Sequence, residues 1–248
     1  MNILVCISQV PDTTAKIVIN ASGNSIDPAG VKFILNPYDE YAIEEGLRLR
    51  EKNTGTVTAV TVGGDSAKEI LRTALAMGVD KAVVIKNAEK SDSFVVASNI
   101  AEYAKTISPD IILLGRQSID YDSFQMPGTL GELLDMPSVS MVSKLEINGN
   151  NVQIERDIEG GKETVQTSLP CVLGTQKGLN EPRYPKLPDI MKAKSKPIEE
   201  IIPSASDNRV QTITMDIPAS KRVGTLLGDS DADIAEFVRL LHEDAKVF

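Results

Sequence analysis

Asp110-Ile111-Ile112-Leu113-Leu114-Gly115 leads into Arg116-Gln117-Ser118-Ile119-Asp120-Tyr121-Asp122-Ser123-Phe124-Gln125-Met126-Pro127-Gly128, and a helical stretch follows through Leu134. An uninterrupted apolar run this short suits a parallel strand buried on both faces. The same strand-then-helix alternation runs upstream. Ile3 to Ile7 reads as a strand, and Tyr38 to Lys52 as a helix with Ile43 and Leu47 four apart. Thr56 to Val62 is a strand rich in β-branched residues, and Gly63-Gly64-Asp65 turns from it into a helix. In that helix Ala67, Ile70, Leu71, Ala74 and Leu75 follow the helical period, Ser66 and Glu69 have capping-box spacing, and Gly78 supplies the stop. Ala82-Val83-Val84-Ile85 is the next strand, and a helix from about Ser93 to Thr106 carries Val96, Ile100 and Ala104 on one face. The alternation predicts an α/β fold, a doubly wound and mostly parallel sheet.

After Pro137 the pattern changes. Val142 to Ile147, Val152 to Ile158 and Glu163 to Thr167 suit antiparallel strands, with Asn148-Gly149-Asn150-Asn151 and Glu159-Gly160-Gly161 as turns. Leu169 to Leu173 is a further apolar strand. Lys177 to Lys196 then carries prolines at 182, 185 and 188 and six basic residues against two acidic ones, a stiff basic loop in an acidic protein. Pro197 to Gly228 offers little that could build its own core. Ser230 to Lys246 reads as an amphipathic helix with Ile234, Phe237, Val238 and Leu241 on one stripe. These features divide the chain into an α/β domain over 1–190, including the antiparallel hairpin region, and an extended C-terminal arm over 191–248.

Composition excludes several classes of function. A net charge of −9 over 248 residues disfavours nucleic acid or an anionic membrane surface as the main partner. No apolar run approaches the roughly 18 residues needed to span a bilayer, and the opening Met1-Asn2-Ile3-Leu4-Val5-Cys6-Ile7 lacks the basic flank of a signal peptide. Cys6 and Cys171 sit in apolar strands without metal-site spacing, as buried thiols of a reducing cytoplasm do. His242 is the only histidine, among acidic residues, which nearly removes histidine acid–base chemistry and His-rich metal sites.

Open parallel sheets bind ligands at the carboxyl ends of their strands. Here the loops after Ile7, Val62 and Gly115 fall at such ends. Small and polar residues ahead of a helix leave backbone N–H groups that can hold a phosphate, and Ser123, Gln125 and Gly128 suit that role. Asp120 and Asp122 suit ribose contact, loop ordering or capping instead. On these residues alone an ordinary strand-to-helix connection is slightly the better explanation of the loop. Neither a Walker A pattern nor G-x-G-x-x-G is present.

The whole chain resembles the β subunit of electron-transfer flavoproteins. The resemblance is carried in order by Val10-Pro11-Asp12-Thr13, Asn36-Pro37-Tyr38-Asp39-Glu40, Arg72 to Gly78, Leu114 to Asp120 and Asp157-Ile158-Glu159-Gly160-Gly161. It continues through Leu179-Asn180-Glu181-Pro182-Arg183-Tyr184 and Leu187-Pro188-Asp189-Ile190-Met191. It implies an adenine-nucleotide-binding, Rossmann-like fold and a heterodimer with an α subunit, which the C-terminal helix would pack against. It implies no catalytic acid, base or nucleophile in this chain, but an electron carrier holding a non-covalent FAD housed mostly by α. Electrons would come from flavin dehydrogenases, such as the acyl-CoA dehydrogenases of fatty-acid β-oxidation, and go to a quinone oxidoreductase or similar acceptor. The expected location is the cytoplasm, or the mitochondrial matrix in a eukaryote.

Carried over position by position, the resemblance assigns Cys6, Asn36, Val62 and the loop Asp122, Ser123, Phe124, Gln125, Met126, Pro127 and Gly128 to a nucleotide pocket. That pocket holds AMP in ordinary carriers and a second FAD in electron-bifurcating, NADH-oxidising ones. Thr13 falls near the flavin ring, and Asp157 at a subunit contact. Leu187, between Lys186 and Pro188, falls where the family docks onto dehydrogenases. Many relatives have small or hydroxylated residues and glycine where this chain has Phe124, Met126 and Pro127. An insertion common in bifurcating members is reduced here to residues 87–92. Both features weigh against the second FAD. A non-redox nucleotide-binding α/β module is the remaining alternative, and it leaves the Leu187 segment and the arm unexplained.

Overall fold

The computed structural model describes residues 1–87, 91–204, 207–219 and 224–247. Its framework is a nine-stranded sheet. Strand β1 (Asn2–Cys6) is followed by a small antiparallel ribbon of β2 (Gln9–Pro11) and β3 (Phe33–Leu35). Helix α1 (Pro37–Asn53), β4 (Thr56–Gly63), α2 (Lys68–Met77) and β5 (Lys81–Lys86) come next. Then follow α3 (Ser93–Ile107), β6 (Ile111–Gly115), α4 (Met126–Leu134), β7 (Ser138–Asn148), β8 (Asn151–Ile158), β9 (Gly161–Ser168) and β10 (Cys171–Thr175). The chain continues through α5 (Leu187–Ser195), β11 (Glu199–Ile201) and α6 (Asp231–Arg239).

The strand order is β11-β5-β4-β1-β6-β10-β7-β8-β9, parallel from β11 to β7 and antiparallel from β7 to β9. This is the α/β sheet with an appended hairpin region that the alternation predicts. From β1 the chain first builds outward through β4 and β5, then returns to place β6 on the other side of β1. The topological switch point therefore lies between β1 and β6, which pair in register from Ile3 with Ile111 to Cys6 with Leu114.

The apolar runs follow from burial on both faces. Ile3, Val5, Ile111, Leu113, Cys171 and Leu173 pack into the core beneath α1 and α2. Their neighbours Leu4, Cys6, Ile112, Leu114 and Val172 pack on the opposite face with α3 and α4. Successive strand residues point to opposite faces, so only a strand covered on both sides is apolar without alternation.

Several expectations need adjustment. Ser66 does not cap a helix: Asp65–Ala67 forms a 3₁₀ turn before α2, and the Ser66 hydroxyl donates to Gln9 Oε1 at 3.0 Å. Asp65 is held instead by Lys68 and Lys86, at 3.0 and 3.1 Å, which draws the turn tight. The buried side of α3 is Val95, Ala97, Ile100, Ala101 and Ala104, whereas Val96 is only half-buried. The basic stretch after Lys177 is not all loop, because Leu187–Ser195 is helical. Past Lys196, Glu199–Ile201 adds an edge strand in parallel to β5. The amphipathic C-terminal helix runs over Asp231–Arg239 and passes into a π-helical turn, Leu240–Asp244. Its stripe of Ile234, Phe237 and Val238 is about half-exposed. Within the 87–92 connection, positions 88–90 fall outside the described residues, as do 205–206, 220–223 and 248 of the arm.

Gly115 ends β6 in a space that admits no side chain. A Cβ there would sit 2.5 Å from Asp39 Oδ1 and 2.7 Å from Tyr38 Cβ. Gly115→Ala should destabilise the fold by about 1–3 kcal/mol, the usual cost of overpacking a close approach. A lowered denaturant midpoint with an unchanged slope checks this.

Candidate functional site

A cleft of about 1200 Å³ opens at the carboxyl ends of β1, β4 and β6. Its base is Cys6, Thr61, Val62 and Leu114, and one wall is the loop from Arg116 to Met126. Ser91 to Phe94 and Asn208 to Thr212 form the opposite rim.

The wall is built around Asp39, in the first turn of α1. Its carboxylate accepts from Ser8 N at 2.7 Å, Ser8 Oγ at 2.8 Å and Gly115 N at 2.9 Å. Burial pushes its pKa up to about 6 against the opposing pull of those hydrogen bonds. Burial, and then the nearby Asp39 charge, push the Cys6 thiol well above the ordinary range, so Cys6 is an apolar lining group and no nucleophile.

Asn36 is fully buried behind the wall and does not line the cleft. Its Nδ2 donates to Gln117 O at 2.9 Å and its Oδ1 accepts from Ile119 N at 3.3 Å, bracing the start of the loop.

Beyond that brace, Asp122 and Phe124 both take left-handed backbone conformations, at φ 49° and 55°. Such a conformation is uncommon for a bulky residue and needs support from its surroundings. The Phe124 ring finds it on Arg116, whose guanidinium lies 5.1 Å from that ring and 4.8 Å from the Tyr38 ring. Asp122 accepts from Gln117 Nε2 and turns away from the cleft.

In α4 the N–H of Thr129 closes onto Gln125 O at 2.9 Å. The N–H groups of Met126 and Gly128 precede it and have no intrahelical partner. Ser123, Phe124, Gln125 and Met126 line the cleft. Pro127 is buried in the core, and Gly128 borders open space. Left-handed loop residues followed by the first turn of a helix suit an anionic group.

The remaining predicted residues lie elsewhere. Thr13 is exposed in the loop after β2, where Asp12 orders the neighbouring Thr14 through its N–H at 2.9 Å. Asp157 is on β8, part-exposed. Leu187 is the first residue of α5, 72% exposed, with Lys186 at the helix cap and Pro188 in the first turn. Tyr184 and Met191 are exposed beside it.

The segment before α5 is anchored to α1. Arg183 bonds Glu44 through Nε at 2.8 Å and Glu51 through NH1 at 2.7 Å. Burial raises the Glu44 carboxyl, but bonds from Arg183 and Arg48 outweigh it and hold the group below its usual range.

Asp39, Arg116 and the 208–212 rim are parts of the cleft that sequence reasoning missed. An acidic residue in a helix's first turn is ordinary, so Asp39 carries no local signal. The rim depends on a contact more than a hundred residues away in sequence: Asp92 accepts from Val210 N at 2.9 Å. Among the described residues no cluster could hold a metal ion, and no helix is long and apolar enough to cross a membrane.

The family model for the electron transfer flavoprotein domain matches residues 24–206. The chain is 45% identical over the full length of both chains to a protein named electron transfer flavoprotein subunit beta from Bacillus subtilis. The subunit of that name from Syntrophomonas wolfei is 36% identical, over 92% of this chain and 90% of its own. The human one is 34% identical, over 95% and 96%. This chain belongs to the electron transfer flavoprotein beta-subunit family.

Asp39 yields a pH signature. Its folded pKa is raised, so the folded state keeps a proton that the unfolded chain loses near pH 4. The stability this confers is present below the unfolded pKa and is lost as pH rises through about 6. Relative to Asp39→Asn, wild-type stability should decline between pH 4 and 6 and level off above. Parallel pH–stability curves for the two proteins would contradict this.

Proposed function

We propose that this chain is the β half of a heterodimeric electron carrier. With an α subunit it receives electrons from flavin dehydrogenases, such as acyl-CoA dehydrogenases, and delivers them to a quinone oxidoreductase or similar acceptor. The observation that carries this reading is the full-length similarity to the Bacillus subtilis subunit. The bound FAD supplies the electron chemistry. It lies mostly in α, with Thr13 near its ring and Asp157 at the subunit contact. This chain's own residues hold a nucleotide, complete the flavin site and present the docking helix, and none of them moves a proton or forms a covalent bond.

In the cleft the ligand is AMP. Cys6 and Val62 face its adenine, and the N–H groups between Ser123 and Gly128 hold its phosphate. Phe124 and Met126 are bulky lining groups and favour this mononucleotide over a second FAD. AMP is structural, because a ligand that binds only the folded state stabilises it. The stripe of Ile234, Phe237 and Val238 on the C-terminal arm is covered by α. Acid extraction of the heterodimer should release about one AMP and one FAD. Two FAD and no AMP would assign the bifurcating chemistry instead, and a stable flavin-free monomer the non-redox module.

Leu187 is the docking anchor. It projects from the first turn of a helix whose approach is fixed by Pro182, Pro185 and the Arg183 clamp, with Pro188 stiffening the turn itself, so little ordering entropy is lost on binding. Full burial of one such side chain contributes about 1.5–3 kcal/mol. Lys186, Lys192 and Lys194 steer an acidic partner surface in a salt-sensitive way. Leu187→Ala should weaken electron transfer from dehydrogenases roughly tenfold or more, while flavin content, AMP content and melting temperature stay level. A lowered melting temperature would show a core residue instead.

A further inference from the structure

A chain of side chains leads from the cleft to the outer sheet. Arg116, stacked between Tyr38 and Phe124, donates from NH1 to Gln176 Oε1 at 2.8 Å and from NH2 to the Tyr38 hydroxyl at 3.1 Å. Gln176 is 4% exposed, and its Nε2 donates to Asp157 Oδ2. The other oxygen of Asp157 accepts from Ser143 Oγ at 3.1 Å and lies 3.7 Å from Lys162 Nζ. Three separate elements supply these groups: Arg116 follows β6, Gln176 follows β10, and Asp157 lies on β8.

An amide between a cation and a carboxylate has one satisfactory orientation, with its oxygen toward the cation and its NH₂ toward the carboxylate. Each bond polarises the next, and a buried amide that loses one partner has no water to replace it. Asp157 therefore fixes how Gln176 is turned, and Gln176 fixes the plane of Arg116. That plane is the surface on which Phe124 rests in its left-handed conformation. Among the described residues the guanidinium Nε has no hydrogen-bond partner, so the NH1 and NH2 bonds and the two rings set its position.

We propose that Gln176 is a positioning residue that couples Asp157, on the outer sheet, to the nucleotide-holding loop. It holds Arg116 so that Phe124 keeps the loop N–H groups aimed into the cleft. The coupling is reciprocal, as any equilibrium coupling must be: whatever repositions the Asp157 carboxylate, which lies beside Lys162, and a nucleotide in the cleft bias each other. This rests on the reading of the cleft as the nucleotide site.

The test is AMP titrated into the α-containing heterodimer after removal of the nucleotide carried by this chain. It compares wild type, Asp157→Asn, Gln176→Leu and the double variant. Asp157 is part-exposed and its substitution isosteric, so that variant keeps the experiment decisive even where Gln176→Leu folds poorly. The expected result is AMP affinity about fivefold weaker in Asp157→Asn, at the low end of measured couplings. Adding Asp157→Asn to Gln176→Leu should cause no further loss, because the path is already cut. A merely structural Asp157 would lower melting temperature without that non-additive pattern. Equal AMP affinity in wild type and Asp157→Asn overturns the coupling and leaves the cleft reading intact, as does an Asp157→Asn effect of the same size in the Gln176→Leu background. A wild-type heterodimer that binds no AMP overturns the cleft reading and the coupling with it.

Discussion

The carboxylate of Asp39 ties together the two strand ends between which the sheet changes direction. It takes the N–H and hydroxyl of Ser8, just after β1, and the N–H of Gly115, the last residue of β6. Where parallel strands diverge at a switch point, the backbone groups at their ends have no neighbouring strand to pair with. Buried and unpaired, each would cost about 1–3 kcal/mol. One carboxylate from the start of α1 satisfies the pair of them, which fixes how the chain leaves β1 and β6 and where α1 begins. The cost is a desolvated charge, visible as the raised pKa. Gly115 is the matching constraint, because the carboxylate can approach this closely only where there is no Cβ.

The two ends of α1 serve two different surfaces. Its N-terminal turn carries Asp39 and Tyr38, which shape the cleft. About one and a half turns further on at Glu44 and Glu45, and more than three turns on at Glu51, the helix receives Arg183 and Asn180 from the segment before α5. Glu44 is nearly fully buried, yet its fixed guanidinium partner outweighs the desolvation, as a bidentate arrangement of donors allows. One helix thus holds both the cleft wall and the approach to Leu187. A distortion at either surface has a rigid path to the other.

The parallel sheet was legible because burial on both faces leaves a one-dimensional trace: Ile111 to Leu114 and Ile3 to Ile7 are apolar without alternation. The hairpins were legible from turn chemistry, with Gly149 and Gly160 in left-handed conformations where two strands reverse. The edge strand Glu199–Ile201 was not legible. It has three residues, two of them glutamates, and it is placed by Lys68 and Lys86 reaching Glu200 from distant elements. The helix at Leu187–Ser195 was hidden by Pro188, which breaks a helix in its interior but suits its first turn. In the cleft, Cys6, Val62 and the Ser123–Met126 stretch were found at strand and helix ends. Asn36 proves to be a brace behind the wall, a distinction that depends on which way a buried amide points and leaves no mark in the sequence.

The exposed apolar groups fall into two classes by how they are mounted. Leu187 stands on a helix tied to the body at both ends. Arg183 holds its approach, and Arg72 donates to Ala193 O at 2.7 Å and to Lys196 O at its far end. Helix α6 has no buried residue among those described, and the segment leading to it meets the body at Asp92, which accepts from Val210 N at 2.9 Å, and further on at Gly23 O, which accepts from Met215 N at 2.8 Å. A pre-ordered side chain loses little entropy on contact and so suits a brief encounter, whereas a loosely mounted stripe must be ordered by whatever covers it. Ordering a dozen or more residues costs several kcal/mol or more, which only an extensive interface offsets. Under the proposed function this separates the two partners by physics: the transient electron donor belongs at the rigid helix, and the permanent subunit belongs at the arm.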